Sequence, residues 1–67
     1  MFSVTVNGAP YQFDRAVTVA DLLQEMALAG KRIAVERNGA IIPRSAFDKA
    51  TLNDGDRLEI VVAVGGG

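Results

Sequence analysis

Apolar and polar residues alternate from the start of the chain. Phe2, Val4 and Val6 are separated by Ser3 and Thr5, the two-residue period of a strand with one buried face. Asn7-Gly8 follows, a pair that tolerates positive φ and favours a two-residue hairpin turn. Pro10 to Asp14 then reads as the partner strand, with Tyr11 and Phe13 on one face. Pro10 cannot donate a ladder hydrogen bond, which predicts that this strand lies at a sheet edge.

The period then changes. Val19, Leu22, Leu23, Met26 and Ala27 fall at helical spacing and make one apolar stripe, with Asp21, Gln24 and Glu25 off it. Thr18 is placed to cap this helix, and Asp21 three residues later completes a weaker form of the capping box, where Glu or Gln is usual. Val17 and Leu22 are spaced for a hydrophobic staple across the cap. Gly30 is suited to the left-handed residue that ends a helix, and Lys31 and Arg32 follow it. The stripe is core rather than a cofactor-binding face.

Strand signals return at Ile33 to Arg37, with Ile33 and Val35 on one face, and at Ala40 to Ile42 after a second Asn-Gly turn, Asn38-Gly39. Pro43 stops that strand. Ser45 is a candidate cap for a single helical turn through Asp48, with Phe47 and Leu52 facing inward. Asn53-Asp54-Gly55-Asp56 is a tight turn. The last strand runs from Arg57, with Leu58, Ile60 and Val62 expected on the core face and Glu59, Val61 and Ala63 on the other.

The order is β-β-α-β-β-β, and one helix long enough to cover a sheet packs on a single face. The last strand is free of Pro and Gly until its end and is the most apolar, so it fits a central place beside the first. The expected fold is therefore α+β: a β-grasp, ubiquitin-like, with a mixed five-stranded sheet wrapped around one main helix. Residues 1–64 form a single domain and residues 65–67 a flexible tail. Sixty-seven residues leave no room for a second domain.

Composition narrows the chemistry. Cysteine and histidine are both absent, which removes disulfides, thiolate metal sites, a carried persulfide and the commonest general base. An autonomous enzyme has no nucleophile-base pair to assemble. The net charge is −1, with 7 Lys and Arg against 8 Asp and Glu mixed along the chain. That pattern speaks against nucleic acid and against a polybasic membrane anchor. No run approaches the ~20 apolar residues of a membrane span, and no basic-then-apolar leader is visible. A cytoplasmic chain, monomeric when free, is expected.

The end of the chain is unusual. Val61, Val62 and Val64 favour a packed, extended backbone, and Gly65, Gly66 and Gly67 follow directly. Three extended residues reach roughly 10 Å, and without Cβ atoms they fit a channel too narrow for other residues. Frayed ends and cloning remnants also look like this. The alternative is a probe that carries the Gly67 carboxylate into another protein's active site.

Over essentially its whole length the chain resembles the ThiS family, sulfur carriers of thiamine thiazole biosynthesis. The resemblance lies in Ile33-Ala-Val35, Asn38-Gly39, Ile42-Pro43-Arg44, Leu52-Asn-Asp54-Gly55-Asp56 and Val62-Ala-Val64-Gly-Gly-Gly67, in this order. Phe47 stands where the family often has a larger aromatic, and Glu36 and Arg37 add charge before the second Asn-Gly turn. Both changes can be absorbed by packing and a surface turn. Related carriers for molybdopterin synthesis or tRNA thiolation tend to differ around Pro43-Arg44. A ubiquitin-like modifier joined through Gly67 and a plain β-grasp binding module with an inert tail are the other readings.

The resemblance implies that a ThiF-like adenylyltransferase uses ATP and magnesium to adenylate Gly67. A sulfur donor system then converts it to a thiocarboxylate, and a ThiG-like thiazole synthase receives the sulfur. The nucleotide and metal belong to the partner, since the glycine run here is followed by no helix as a phosphate-cradling loop requires. Gly67 is the modified residue, and Gly65, Gly66 and Val64 are the tail that partners grip. Val61 and Ala63 face away from the helix and are candidates for an apolar docking patch; ordinary strand propensity explains them equally well. Arg44 reads as a solvated turn residue, Asp54 and Asp56 as turn formers, and Tyr11 as core edge.

Overall fold

The computed structural model describes residues 1–63; Val64, Gly65, Gly66 and Gly67 lie outside the described residues. The strands are β1 (Phe2–Val6), β2 (Ala9–Phe13), β3 (Ile33–Arg37), β4 (Ala40–Ile42) and β5 (Arg57–Val62), and the helix is α1 (Val19–Glu25). The sheet order is β2-β1-β5-β3-β4. β1 and β5 are parallel, and the other pairs are antiparallel. The expected mixed five-stranded sheet with one main helix is present, with β5 central and the Pro10 strand at an edge.

Both hairpins close through two-residue turns with positive φ at each central position: Asn7 at 50° and Gly8 at 85°, Asn38 at 52° and Gly39 at 88°. This conformation matches the twist of the flanking strands, which is why Asn-Gly is favoured there. Alternation sends Val4, Val6, Phe13, Val35, Leu58 and Ile60 to one face, where they pack with Val17, Val19, Leu22, Leu23, Phe47 and Leu52. Each such side chain stabilises the fold by roughly 1.5–3 kcal/mol through burial. Phe2 and Phe13, directly opposite each other across β1 and β2, bring their rings to 5.7 Å.

The start of α1 leaves no donor bare. Val19 N–H donates to Ala50 C=O, Ala20 N–H to Phe47 C=O, and Leu22 N–H to Thr18 C=O. Asp21 N–H donates to Thr18 Oγ1 at 3.1 Å, and Asp21 Oδ2 accepts from Thr18 N–H at 3.0 Å. The capping box is thus complete despite its Asp. Val17 and Leu22, the staple pair, are both fully buried.

The far end of α1 departs from expectation. The helix stops at Glu25 rather than running to Gly30, and Ala27 takes the left-handed conformation, φ 59°. Ala27 N–H donates to Gln24 C=O and Leu28 N–H to Leu23 C=O, the double bond pattern of a Schellman ending. Ala27 therefore leaves the apolar stripe for solvent, and Leu28 packs against the core in its place. An early stop lets the chain turn back toward β3, with Gly30 (φ 83°) completing the turn.

Two further expectations change. Ser45 does not cap a turn: the 3-10 helical turn spans Arg44–Ala46, its cap is Pro43, and no side chain bonds to it. Phe47 and Leu52 are nonetheless buried. Val62 lies on the core face but is 41% exposed, because β1 pairs with β5 only as far as Leu58 and the core ends at Ile60.

Two predictions follow from the helix ends. Ala27→Gly should raise stability by about 1 kcal/mol, since a Cβ is disfavoured by roughly that amount at a left-handed residue; thermal unfolding measures it, and no gain would contradict the strain. Bonds from the Thr18 backbone and side chain, aided by Arg15, lower the Asp21 pKa below 3.8. A lowered carboxylate stabilises the fold above its unfolded pKa, and that stabilisation is lost as pH falls through the folded value. The difference in melting temperature between wild type and Asp21→Asn should be full near pH 7 and shrink below pH 3.8.

Candidate functional site

The candidate site is the end of β5 and what surrounds it. β5 bonds to β3 along its length, from Arg37↔Leu58 to Ile33↔Val62, and Ala63 N–H adds a bond to Arg32 C=O at 2.8 Å. The chain is therefore held in register against β3 up to Ala63. The four residues named from the sequence as the reacting and gripped tail, Val64 to Gly67, lie outside the described residues.

Val61 and Ala63 sit on the outer face, as expected. Val61 is 64% exposed. The register adds neighbours that the sequence did not reveal. Ala34 lies directly opposite Val61, and Ile41, 65% exposed, pairs with Glu36 in the adjoining row. Together these make an apolar strip on the outer face of the sheet. Ala34, Val61 and Ala63 line a shallow hollow of about 350 Å³ with Arg32, Ile33 and Arg44. Arg32 and Arg44 border the hollow on one side, and Glu36 and Glu59 share the row of Ile41 on the other.

Arg44 is not simply a solvated turn residue. Its guanidinium donates to Lys31 C=O at 2.8 Å, which ties the turn after β4 to the segment before β3. The bond orients the guanidinium beside the hollow.

The start of β5 is fastened differently. Asp56 is buried, 7% exposed. Its carboxylate meets Arg37 at 3.0 Å and accepts from Asn53 N–H at 2.8 Å and Asn38 Nδ2 at 3.2 Å. A buried carboxylate is tolerable because it is paired and bonded on both oxygens. Asp56 is a turn former, as expected, but it is also the anchor for Arg37, read from the sequence as added surface charge. Asp54 has a lesser role: its carboxylate accepts Ser3 N–H at 2.9 Å and fastens the start of β1 to the turn.

Both turn asparagines reach β5 with their side chains. Asn38 Oδ1 accepts Arg57 N–H at 2.9 Å. Asn7 Oδ1 accepts Ile60 N–H at 2.8 Å, and Asn7 Nδ2 donates to Ile60 C=O at 3.1 Å. The Asn-Gly pattern signals the turns; choosing Asn over Asp or Gly is the sole trace these contacts leave in the sequence. A hollow of about 560 Å³ lies at this turn end and is lined by Glu36, Arg57 and Glu59 among others. It is remote from the exit of β5.

A protein-family model, the ThiS family, matches residues 4–67. The chain belongs to the ThiS family. It is 44% identical over 63 residues to the sulfur carrier protein ThiS of Bacillus subtilis, covering 92% of this chain and 96% of that one. It is 42% identical over 64 residues to a thiazole synthase of Paramagnetospirillum magneticum, covering 96% of this chain. The chain spans only 20% of the length of that synthase. A crystal structure of the thiamine biosynthesis protein ThiS from Geobacter metallireducens superimposes with a TM-score of 0.80 at 38% identity, covering 98% of this chain and 100% of that one. The β-grasp fold is shared with that ThiS structure. Among the described residues of this ThiS-family chain, no helix is long and apolar enough to cross a membrane.

Proposed function

We propose that this chain is a sulfur carrier of thiamine biosynthesis, with the Gly67 carboxylate as the carrying group. The observation that supports it most is the extent of the family match, which runs through residue 67 and takes in the whole glycine run. The similarity to the Bacillus subtilis sulfur carrier along nearly the full length of both chains supports the same role.

The chemistry follows from the terminal group. A terminal carboxylate has a reference pKa of about 3.3–3.7, so at neutral pH it is an anion and a poor electrophile. A ThiF-like adenylyltransferase activates it: a Gly67 oxygen attacks the α-phosphorus of ATP, and pyrophosphate leaves with magnesium. The terminal sulfur of a persulfide from the donor system then attacks the acyl carbon, and AMP departs with the oxygen. Thiol reduction of the resulting acyl disulfide leaves a thiocarboxylate on Gly67. A ThiG-like thiazole synthase takes that sulfur into the thiazole ring. A thiazole synthase with a segment resembling this chain supports such an enzyme as the acceptor.

The chain is the substrate in each step and supplies no catalytic group. Gly65 and Gly66 make the tail thin enough to enter a narrow channel and free enough to be gripped in extended form, with Val64 the last side chain before it. Val61 and Ala63, joined by Ala34 and Ile41, give the partners an apolar surface to dock on, and Arg32 and Arg44 orient the approach. The free carrier is monomeric and cytoplasmic.

Incubation with the cognate adenylyltransferase, ATP and magnesium should release pyrophosphate. Adding one phenylalanine after Gly67 should cut that release by about a hundredfold, the scale of loss when a reacting atom is misplaced by an ångström or more. Undiminished release from the extended chain, verified by mass to be untrimmed, would overturn the assignment of Gly67.

A further inference from the structure

We propose that Asn7 is a positioning residue for the tail: its side-chain amide holds Ile60 where the β1 backbone has ended, and so fixes the β1 flank of β5 ahead of Gly67. The inference rests on the reading of Gly67 as the reacting residue.

The parallel ladder of β1 and β5 covers only Thr5↔Arg57 and Val6↔Leu58. The last main-chain bond from this side is Asn7 N–H to Leu58 C=O, 2.9 Å. The chain then turns away through Asn7 and Gly8. Along β5, main-chain groups face alternate flanks. Arg57 C=O and Ala63 N–H bond on the β3 side, to Asn38 and Arg32, so Leu58, Ile60 and Val62 direct their groups toward β1. Ile60, almost fully buried, would face that flank with no strand beside it.

The Asn7 amide fills the gap at both points, accepting Ile60 N–H at 2.8 Å and donating to Ile60 C=O at 3.1 Å. One side chain thereby does what a strand residue does with its backbone. The turn itself does not demand this, because Asp or Gly also suits the first central position of such a turn. Asp lacks the donor, and Gly lacks both groups. Beyond Ile60, Val62 has no ladder partner on the β1 flank among the described residues and is held by Ile33 of β3 alone. Ile60 is thus the last residue of β5 whose main-chain groups are bonded on the β1 flank among the described residues, and the hold there is a single asparagine.

Asn38 provides a matched comparison. It occupies the same position of the same kind of turn, and its side chain also bonds to β5, but at Arg57, the end remote from the tail. Asn7→Gly and Asn38→Gly each preserve the turn and remove a side-chain hold, and both are compared at equal fraction folded. Asn7→Gly should speed amide exchange at Ile60 by about tenfold, the scale of losing a hydrogen bond, with Val35 as the internal reference. It should also lower kcat/KM for pyrophosphate release with the adenylyltransferase and ATP by about tenfold. Asn38→Gly should change both by less than about twofold. Asn7→Asp, which keeps the acceptor for Ile60 N–H, should fall between.

Equal exchange at Ile60 in the two glycine variants would overturn the proposal. So would a loosened Ile60 in Asn7→Gly with adenylation as fast as in Asn38→Gly. If the wild-type chain released no pyrophosphate, the reading of Gly67 would fail, and the exchange comparison alone would decide the role of Asn7.

Discussion

The strand that leads out of this fold is the central one, held from both sides, and most of the molecule can be understood as meeting that constraint. β5 bonds to β3 along its whole length and to β1 over its first part. Its core-facing Leu58 and Ile60 join the apolar cluster over α1. A terminal strand at an edge would open easily, since local opening follows the loss of few contacts. A central one gives the residues beyond it a fixed point of departure.

Small size makes that arrangement demanding. A domain of this length buries only about 60% of the surface its unfolded chain exposes, and no disulfide supports it. Several side chains therefore serve two purposes. Asn7 and Asn38 take up the positive φ of their turns and bond to β5. Asp56 shapes the turn before β5 and neutralises Arg37. Thr18 caps α1, and its strand-like bridge to Thr51 ties the helix to the segment after the 3-10 turn. The outer face of the sheet carries Val61 and Ile41 as exposed large apolar side chains.

Much of this was legible in the sequence wherever a local period or a local turn decides the outcome. The alternation in β1 and the two Asn-Gly pairs placed the hairpins, and Thr18 with Asp21 placed the helix start. The central position of β5 followed from its lack of Pro and Gly. Features set by tertiary contact were not legible. Ala27 belongs to the helical stripe by spacing, yet the return to β3 puts it in a left-handed turn where glycine is usual. Val62 alternates with Ile60, but β1 stops short of it. Arg37 looks like surface charge until the fold sets Asp56 beside it, 19 positions along the chain. Ala34 and Ile41 join Val61 on one face through strand register, which one strand's sequence does not contain.

Holding β5 has chemical value only if a group carried beyond it is made and unmade as a reactive acyl species. The intact mass of this chain purified from cells actively making thiamine, with fragment masses to locate any change, tests that most directly. The expected result is a population in which sulfur replaces one oxygen, with the change confined to Gly67. A chain found uniformly unmodified under those conditions, or altered only at residues within the folded body, would contradict it.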